Sequence, residues 1–448
     1  MGSPWELKRR TDTIAAVPEL LPFRALRYDA AAVPDLSVVV CPPYDVISPA
    51  ERELLAARDP RNAVHVELPV GEVGGALSPY EAAADTFSGW IADGTLRRDE
   101  RPMIYVYEQR YRAADGSEQR ARGFFARLRL EPYGPTSGVL PHEHTLSGPK
   151  EDRFRLMSAV QANLSPVLFL YDHGDQGAAA EGHMQALISA PPEIEALGPG
   201  GLVNRLWVAD PAESDHAREL RALAAFGPLT IADGHHRYET ALRFRDQPDA
   251  PNGADFALAL LYDAHSGGLV LLPWHRVLRG IGEGRALMDA ASEWFTVTPC
   301  NGSAELLAAL AGGDGWEVAA HPGLIGLWTS EGGALLEVDR ERVHGLLPAS
   351  ASETLRWLDV TVLSSTLSRM IGRAPEELAT NGTLTYVSDA HAAIAQVDSG
   401  AADAAFLLRP TPIEDVIAVA AAGEHMPAKS TFFHPKAATG LVFNLLTD

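Results

Sequence analysis

Five consecutive residues, Asp233-Gly234-His235-His236-Arg237, combine groups that a bound phosphate needs. A glycine lets the backbone turn sharply and come close to a ligand, and the start of a helix offers unpaired N–H groups to an anion. The guanidinium of Arg237 adds a forked cation that suits phosphate oxygens. A plain alternative is a capped helix, with Asp233 as the capping residue and the two histidines on its surface. Two adjacent histidines and an arginine at one helix start favour the phosphate reading.

Two further clusters carry the same kind of chemistry. In His142-Glu143-His144, which follows Pro141, Glu143 can act as a general base that takes a proton from a hydroxyl. Read blandly, it is an ordinary carboxylate in a solvated loop. Lys429-Ser430-Thr431, followed by His434 and Lys436, puts two cations and two hydroxyls within eight residues, enough to grip phosphate oxygens. Its plain reading is a surface turn after Pro427. Trp274-His275-Arg276 either lines a pocket or ends a strand, and Cys41-Pro42-Pro43-Tyr44-Asp45 reads as a rigid turn. No GxxxxGK[ST] loop, GxGxxG turn after a strand, GxSxG elbow or HExxH pair is present, so the usual nucleotide, dinucleotide, hydrolase and zinc-protease signatures have no anchor.

The elements that must position these residues read as alternating α and β. Alternation of Val64, His65, Val66, Glu67 and Leu68 predicts a strand, and Ser78 followed by Pro79 predicts a helix over 79–96. Strands are expected over 103–112 and 119–130, joined by a turn at Asp115-Gly116. A helix over 150–163 precedes a buried strand over 166–171, and the glycine- and alanine-rich stretch to about 201 reads as an inserted surface helix and loop. A strand over 228–232 runs directly into the Asp233 motif, and 238–244 has helical character. Later segments predict a strand over 256–262, helices over 286–294 and 304–311, and a hairpin over 324–338 around Gly332-Gly333. An amphipathic helix is marked by Val360, Leu363, Leu367 and Met370. Strands near 386–387 and 404–408 alternate with helices over 391–396 and 412–422. The division expected is 1–135, 136–280 with an insertion at about 174–201, and 281–448.

With 448 residues, 46% hydrophobic and 21% charged, the chain is long enough for several cores. Its 37 Lys and Arg against 59 Asp and Glu give a net charge of −22, which repels nucleic acid. Cys41 and Cys300 are too few for a disulfide framework. No apolar run approaches the ~20 residues of a membrane span, and the start, Met1 to Arg10, is not followed by the apolar region of a secretion signal. A cytoplasmic protein that binds neither nucleic acid nor membrane is expected.

The residues carry a resemblance. PPYDVI, SGPKEDR, ANLSP, ADGHHRYETAL and MPAKST all occur here, and from Pro22-Phe23-Arg24 to Val442-Phe443 the chain resembles the bacterial domain-of-unknown-function 1015 family. That family is kin to the ADP-dependent free-serine kinases of the ParB/sulfiredoxin-like superfamily. The resemblance implies a mixed α/β fold, with a ParB/sulfiredoxin-like nucleotide-binding core and added N-terminal and C-terminal α/β regions. It implies Glu143 as the base that activates the acceptor hydroxyl. It implies Gly234, His235, His236 and Arg237 as a cradle for nucleotide phosphates, with Lys429, Ser430 and Thr431 holding phosphate oxygens. Asp233 would meet the amino acid's ammonium or a Mg²⁺ ion, and Asp233 and His236 join Glu143 as candidate catalytic groups.

The expected activity is therefore transfer of a phosphoryl group from ATP or ADP, with Mg²⁺, to the hydroxyl of L-serine or a similar hydroxy amino acid. It requires the Glu143, Asp233 and Lys429 segments to serve one substrate. Two other classes stay open: a switch gated by CTP or ATP without metabolic turnover, and a metal-dependent hydrolase using His142, His144, His235 and His236 as ligands. The sequence does not fix the oligomeric state.

Overall fold

The computed structural model describes residues 17–71, 77–113, 116–134, 136–145, 147–282, 284–311 and 323–447. The opening stretch 1–16 and Ala114-Asp115 of the expected turn lie outside them. The fold is mixed α/β, in two compact units. One is drawn from 17–141, 145–270 and 435–447, the other from 142–144 and 271–434.

The first unit is built on a nine-stranded sheet. Its strands are β1 (Leu20–Leu21), β2 (Ile104–Arg112), β3 (Glu118–Arg129), β4 (Val139–Leu140), β5 (Val167–Tyr171), β6 (Ile194–Leu197), β7 (Val203–Ala209), β8 (Leu229–Asp233) and β9 (Phe256–Asp263). Their order is β4-β8-β5-β9-β3-β2-β7-β6, with β1 paired to β3. The β4/β8 and β5/β9 pairs are parallel and the others antiparallel. Strands β5 and β9 are buried almost throughout, so they read as continuous apolar runs. One face of the sheet buries Val106, Phe124, Phe169, Ile231 and Leu261 against Met157, Tyr238 and Phe244 from two helices, Ser147–Val160 and His235–Arg245. The segment 435–447 is woven into the same unit. Cys41 and Thr439 exchange backbone hydrogen bonds of 3.1 and 2.8 Å, Asn444 and Leu445 pair with Asn163 and Ala162, and Leu446 enters the core.

The helix Pro79–Ala92 starts as expected, with a reciprocal capping box between Ser78 and Glu81. Two sequence expectations are corrected. The segment Val64–Glu67 is one turn of helix rather than a strand. Asn62 accepts the Val64 N–H at 3.0 Å, and a single turn buries Val64, Val66 and Glu67 together, which mimics alternation. The supposed loop after the 177–187 helix contains β6, whose Ile194 and Ala196 face inward at the edge of the sheet. Strand β7 and the helix Asp215–Ala224, which the sequence reading passed over, complete this edge.

The second unit carries an antiparallel six-stranded sheet of β10 (His275–Leu278), β11 (Phe295–Cys300), β12 (Leu324–Thr329), β13 (Gly332–Val338), β14 (Leu384–Val387) and β15 (Ala404–Leu407). Their order is β11-β13-β12-β15-β10-β14. Its core joins Val277, Ala405 and Leu407 to Leu306, Leu310, Ile394 and Val397. The helix Asp359–Ile371 buries Val360, Leu363 and Leu367 from the expected stripe.

Candidate functional site

In the first unit the Asp233 motif occupies a strand-to-helix corner. The pairing of β8 with β5 slips between Ile231 and Asp233, an irregularity that re-aims the side chain at the strand's end. Gly234 then adopts φ 96°, ψ 28°, and the helix His235–Arg245 begins. A side chain at 234 would be strained, and its Cβ would stand 3.0 Å from Nε of Arg237. The corner thus needs glycine for its backbone and for the arginine beneath it.

Asp233 meets two cations. Its Oδ2 accepts from Arg237 at 2.5 Å, and its Oδ1 is bridged to the ammonium of Lys436. Burial opposes ionisation of this carboxyl, yet Lys436 and Arg237 hold it far below the usual carboxylate range. Arg237 is buried, and its other arm donates to the carbonyl of Pro166. Burial works against the Arg237 charge, and Asp233 with Asp45, Tyr44 and Glu67 more than offsets that, so the guanidinium stays a cation. His235 is buried at the helix start and His236 half-buried beside it.

Behind the corner, four of the five quoted sequence segments meet within this unit. Tyr44, from PPYDVI, donates its backbone N–H to the buried carboxylate of Glu67 at 3.3 Å. Ser165, from ANLSP, donates its hydroxyl to the same oxygen at 2.9 Å. Arg153, from SGPKEDR, lies 4.0 Å from the centre of the Tyr44 ring and donates to the Glu67 carbonyl at 2.7 Å. Burial pushes the Glu67 carboxyl above its ordinary range, against the pull of Arg153 and Arg237. A cavity of about 40 Å³ is lined by Glu67, Arg153, Ser165, Arg237 and Thr240 among others. That space suits water or a very small ion, not a nucleotide. Glu67 has no signal in the sequence, because a lone glutamate between Val66 and Leu68 has no motif of its own.

In the second unit the structure brings Glu143 and the lysine-hydroxyl segment together. Glu143 bridges to Met426 in parallel, and the Met426 N–H donates to the His142 carbonyl at 2.8 Å. Oε1 of Glu143 accepts the backbone N–H of Lys429 at 2.8 Å, and Nε2 of His142 lies 3.0 Å from the Thr431 hydroxyl. Lys429 is exposed and takes φ 59°, unusual for a residue with a side chain. Its ammonium sits 5.0 Å from the centre of the Trp274 ring, whose indole N–H donates to the Thr431 carbonyl at 3.1 Å. Ser430 is turned inward, its hydroxyl donating to Pro427 at 2.5 Å. His144 stacks on His425, with ring centres 4.5 Å apart. Next to Trp274, Nδ1 of buried His275 accepts the Leu408 N–H at 3.1 Å, and burial together with Arg276 lowers its pKa to about 4.

Among the described residues, no group of three or more His, Cys, Asp or Glu is arranged to hold a metal ion. The corner does not suit a resident Mg²⁺ either, since both oxygens of Asp233 already face cations. No helix of the described residues is long and apolar enough to cross a membrane.

The structure is similar to that of a conserved hypothetical protein from Pyrococcus furiosus, with 15% identity and a TM-score of 0.36 over 69% of this chain and 92% of that one. It is similar as well to a free serine kinase in complex with AMP, at 13% identity and a TM-score of 0.36 over 66% and 83% of the two chains. A C-terminally truncated SbnI from Staphylococcus aureus is similar at 12% identity and a TM-score of 0.35, over 69% and 84%. No curated protein matches the chain. Residues 20–361 match the family described as protein of unknown function (DUF1015), and the chain belongs to that family.

Proposed function

We propose that this protein is a nucleotide-dependent kinase of a small metabolite, phosphorylating the hydroxyl of free L-serine or a similar hydroxy amino acid. The observation that carries the reading is the contact between Glu143 and the backbone of Lys429, which sets a carboxylate beside a lysine and a threonine hydroxyl in one unit. These are the groups a phosphoryl transfer uses to deprotonate the acceptor and to steady the charge on the moving phosphoryl group.

In the proposed reaction Glu143 takes the proton from the acceptor hydroxyl as its oxygen bonds to the terminal phosphorus of ATP or ADP. The phosphorus–oxygen bond to the nucleotide breaks, and the nucleotide leaves with one phosphate fewer. Lys429 neutralises charge on the phosphoryl oxygens, the Thr431 hydroxyl donates a hydrogen bond to them, and Ser430 keeps their turn in shape. In the first unit Gly234, His235 and His236 present the helix start to nucleotide phosphates, while Arg237 and Lys436 add positive charge and Asp233 positions both. Mg²⁺ would arrive with the phosphates, as it commonly does, rather than occupy a protein cage. The ParB/sulfiredoxin-like assignment of 136–280, with flanking regions 1–135 and 281–448, belongs to the same proposal.

The test is direct. Purified protein is incubated with ATP, ADP or CTP and a pool of hydroxyl-bearing metabolites, and products are read by mass spectrometry. A phosphorylated hydroxy amino acid is the expected product. Tight nucleotide binding with no phosphorylated product would replace this reading with the nucleotide-gated switch.

A further inference from the structure

Three arginines are buried among the described residues: Arg153, Arg237 and Arg276. Arg153 rests on Asp152 at 2.5 Å and Arg237 on Asp233 at 2.5 Å. Arg276, 3% exposed, has no carboxylate within ion-pair distance among the described residues. It projects from β10 opposite Tyr386 of β14, 5.4 Å from the centre of that ring, and donates one N–H to the Trp274 carbonyl at 2.5 Å. Buried charges are ordinarily paired, because removing a cation from water without a counter-charge is costly.

We propose that Arg276 recognises a carboxylate on the acceptor. This rests on the kinase reading above and names its substrate class as hydroxy acids. The unit itself points to the acceptor rather than the nucleotide. Trp274, two residues before Arg276, holds Lys429 and Thr431. Burial lowers the Arg276 pKa to about 10, against the pull of Tyr386 and Glu143. A carboxylate would take the unused arms of the guanidinium as a two-point pair, supplying the missing counter-charge. The Tyr386 ring and the Trp274 carbonyl fix the plane of the fork, so recognition is directional.

The experiment compares L-serine, D-glycerate and L-serinamide, which lacks the carboxylate, on wild type, Arg276→Gln and Arg276→Lys. Binding is followed by calorimetry and phosphoryl transfer by mass spectrometry, with melting temperature as the check on folding. Wild type is expected to prefer L-serine to L-serinamide by about tenfold or more, and Arg276→Gln to lose that preference by weakening L-serine alone. Arg276→Lys retains part of it, and kcat at saturation falls less than kcat/KM. A merely structural arginine would weaken both ligands alike. The proposal is overturned if Arg276→Gln discriminates as wild type does, or if neither L-serine nor D-glycerate binds wild type. Should carboxylate binding depend on Arg276 while no product forms, the kinase reading fails and the carboxylate site stands. If transfer to L-serine proceeds in Arg276→Gln with an unchanged KM, the kinase stands and the carboxylate site fails.

Discussion

Lys436 is salt-bridged to Asp233 across 203 residues of sequence, and Arg237 holds the other oxygen of the same carboxylate. Replacing Asp233 with Asn leaves two cations without their counter-charge. The expected loss is about 3–5 kcal/mol, read as a lower denaturation midpoint. Because the folded carboxyl titrates below its unfolded value of about 3.9, its contribution is complete above that pH and is lost as the pH falls through the folded value. Asp233→Asn should therefore flatten the acid limb of the stability profile. A variant as stable as wild type at neutral pH would show that the pair carries no net stabilisation.

Glu143→Gln separates chemistry from scaffolding. The amide oxygen can still accept the Lys429 N–H, whereas Glu143→Ala cannot. Phosphoryl transfer should drop about 10²–10⁴-fold in the Gln variant, with nucleotide affinity and melting temperature unchanged. The Ala variant should lose thermal stability as well. Wild-type turnover in Glu143→Gln would remove this residue as the base.

Lys429→Gly should be active-site damage without structural damage. A left-handed backbone costs a residue with a side chain about 1–2 kcal/mol, while glycine adds about 0.4–1 kcal/mol of unfolded-state entropy. These nearly cancel, so stability should stay within about 1 kcal/mol of wild type. Phosphoryl transfer should fall by about tenfold or more, because the ammonium over Trp274 is gone. Full activity would assign Lys429 to the surface.

His275 predicts a second pH effect, this one in the second unit. Its folded pKa of about 4 lies below the unfolded value of about 6.5, so the neutral form is the one the fold prefers. Its stabilisation is complete above about pH 6.5 and is lost between there and about pH 4, on the order of 3 kcal/mol. Chemical denaturation from about pH 7 to about pH 4 should show this limb in wild type and a smaller one in His275→Gln.

Structure is legible in the sequence where local chemistry decides it. Ser78-Pro79, the Asp233-Gly234 corner and the Val360 stripe each hold their own instructions in a cap, a left-handed glycine or a helical period. Val64–Glu67 is the counter-example, since the Glu67 carboxylate inside that turn is held by Tyr44 and Ser165, residues distant in sequence. Edge strand β6 did carry period-two burial, but four residues beside glycines gave it little weight. At the site, the residue types of Glu143 and Lys429 were legible, while their contact was not, since 286 residues separate them. Trp274-His275-Arg276 stayed open between a pocket wall and the end of a strand, because the missing counter-charge of Arg276 is a fact of three dimensions.

The two-unit division has a consequence for biogenesis. The first unit begins near the N-terminal side of the chain but lacks Lys436, the Thr439 strap and Leu446 until the 435–447 segment has been made. A ribosome therefore finishes all of the second unit's sequence before the first can close around its Asp233. Until then the Asp233 carboxylate has Arg237 in its own segment and lacks the ammonium of Lys436.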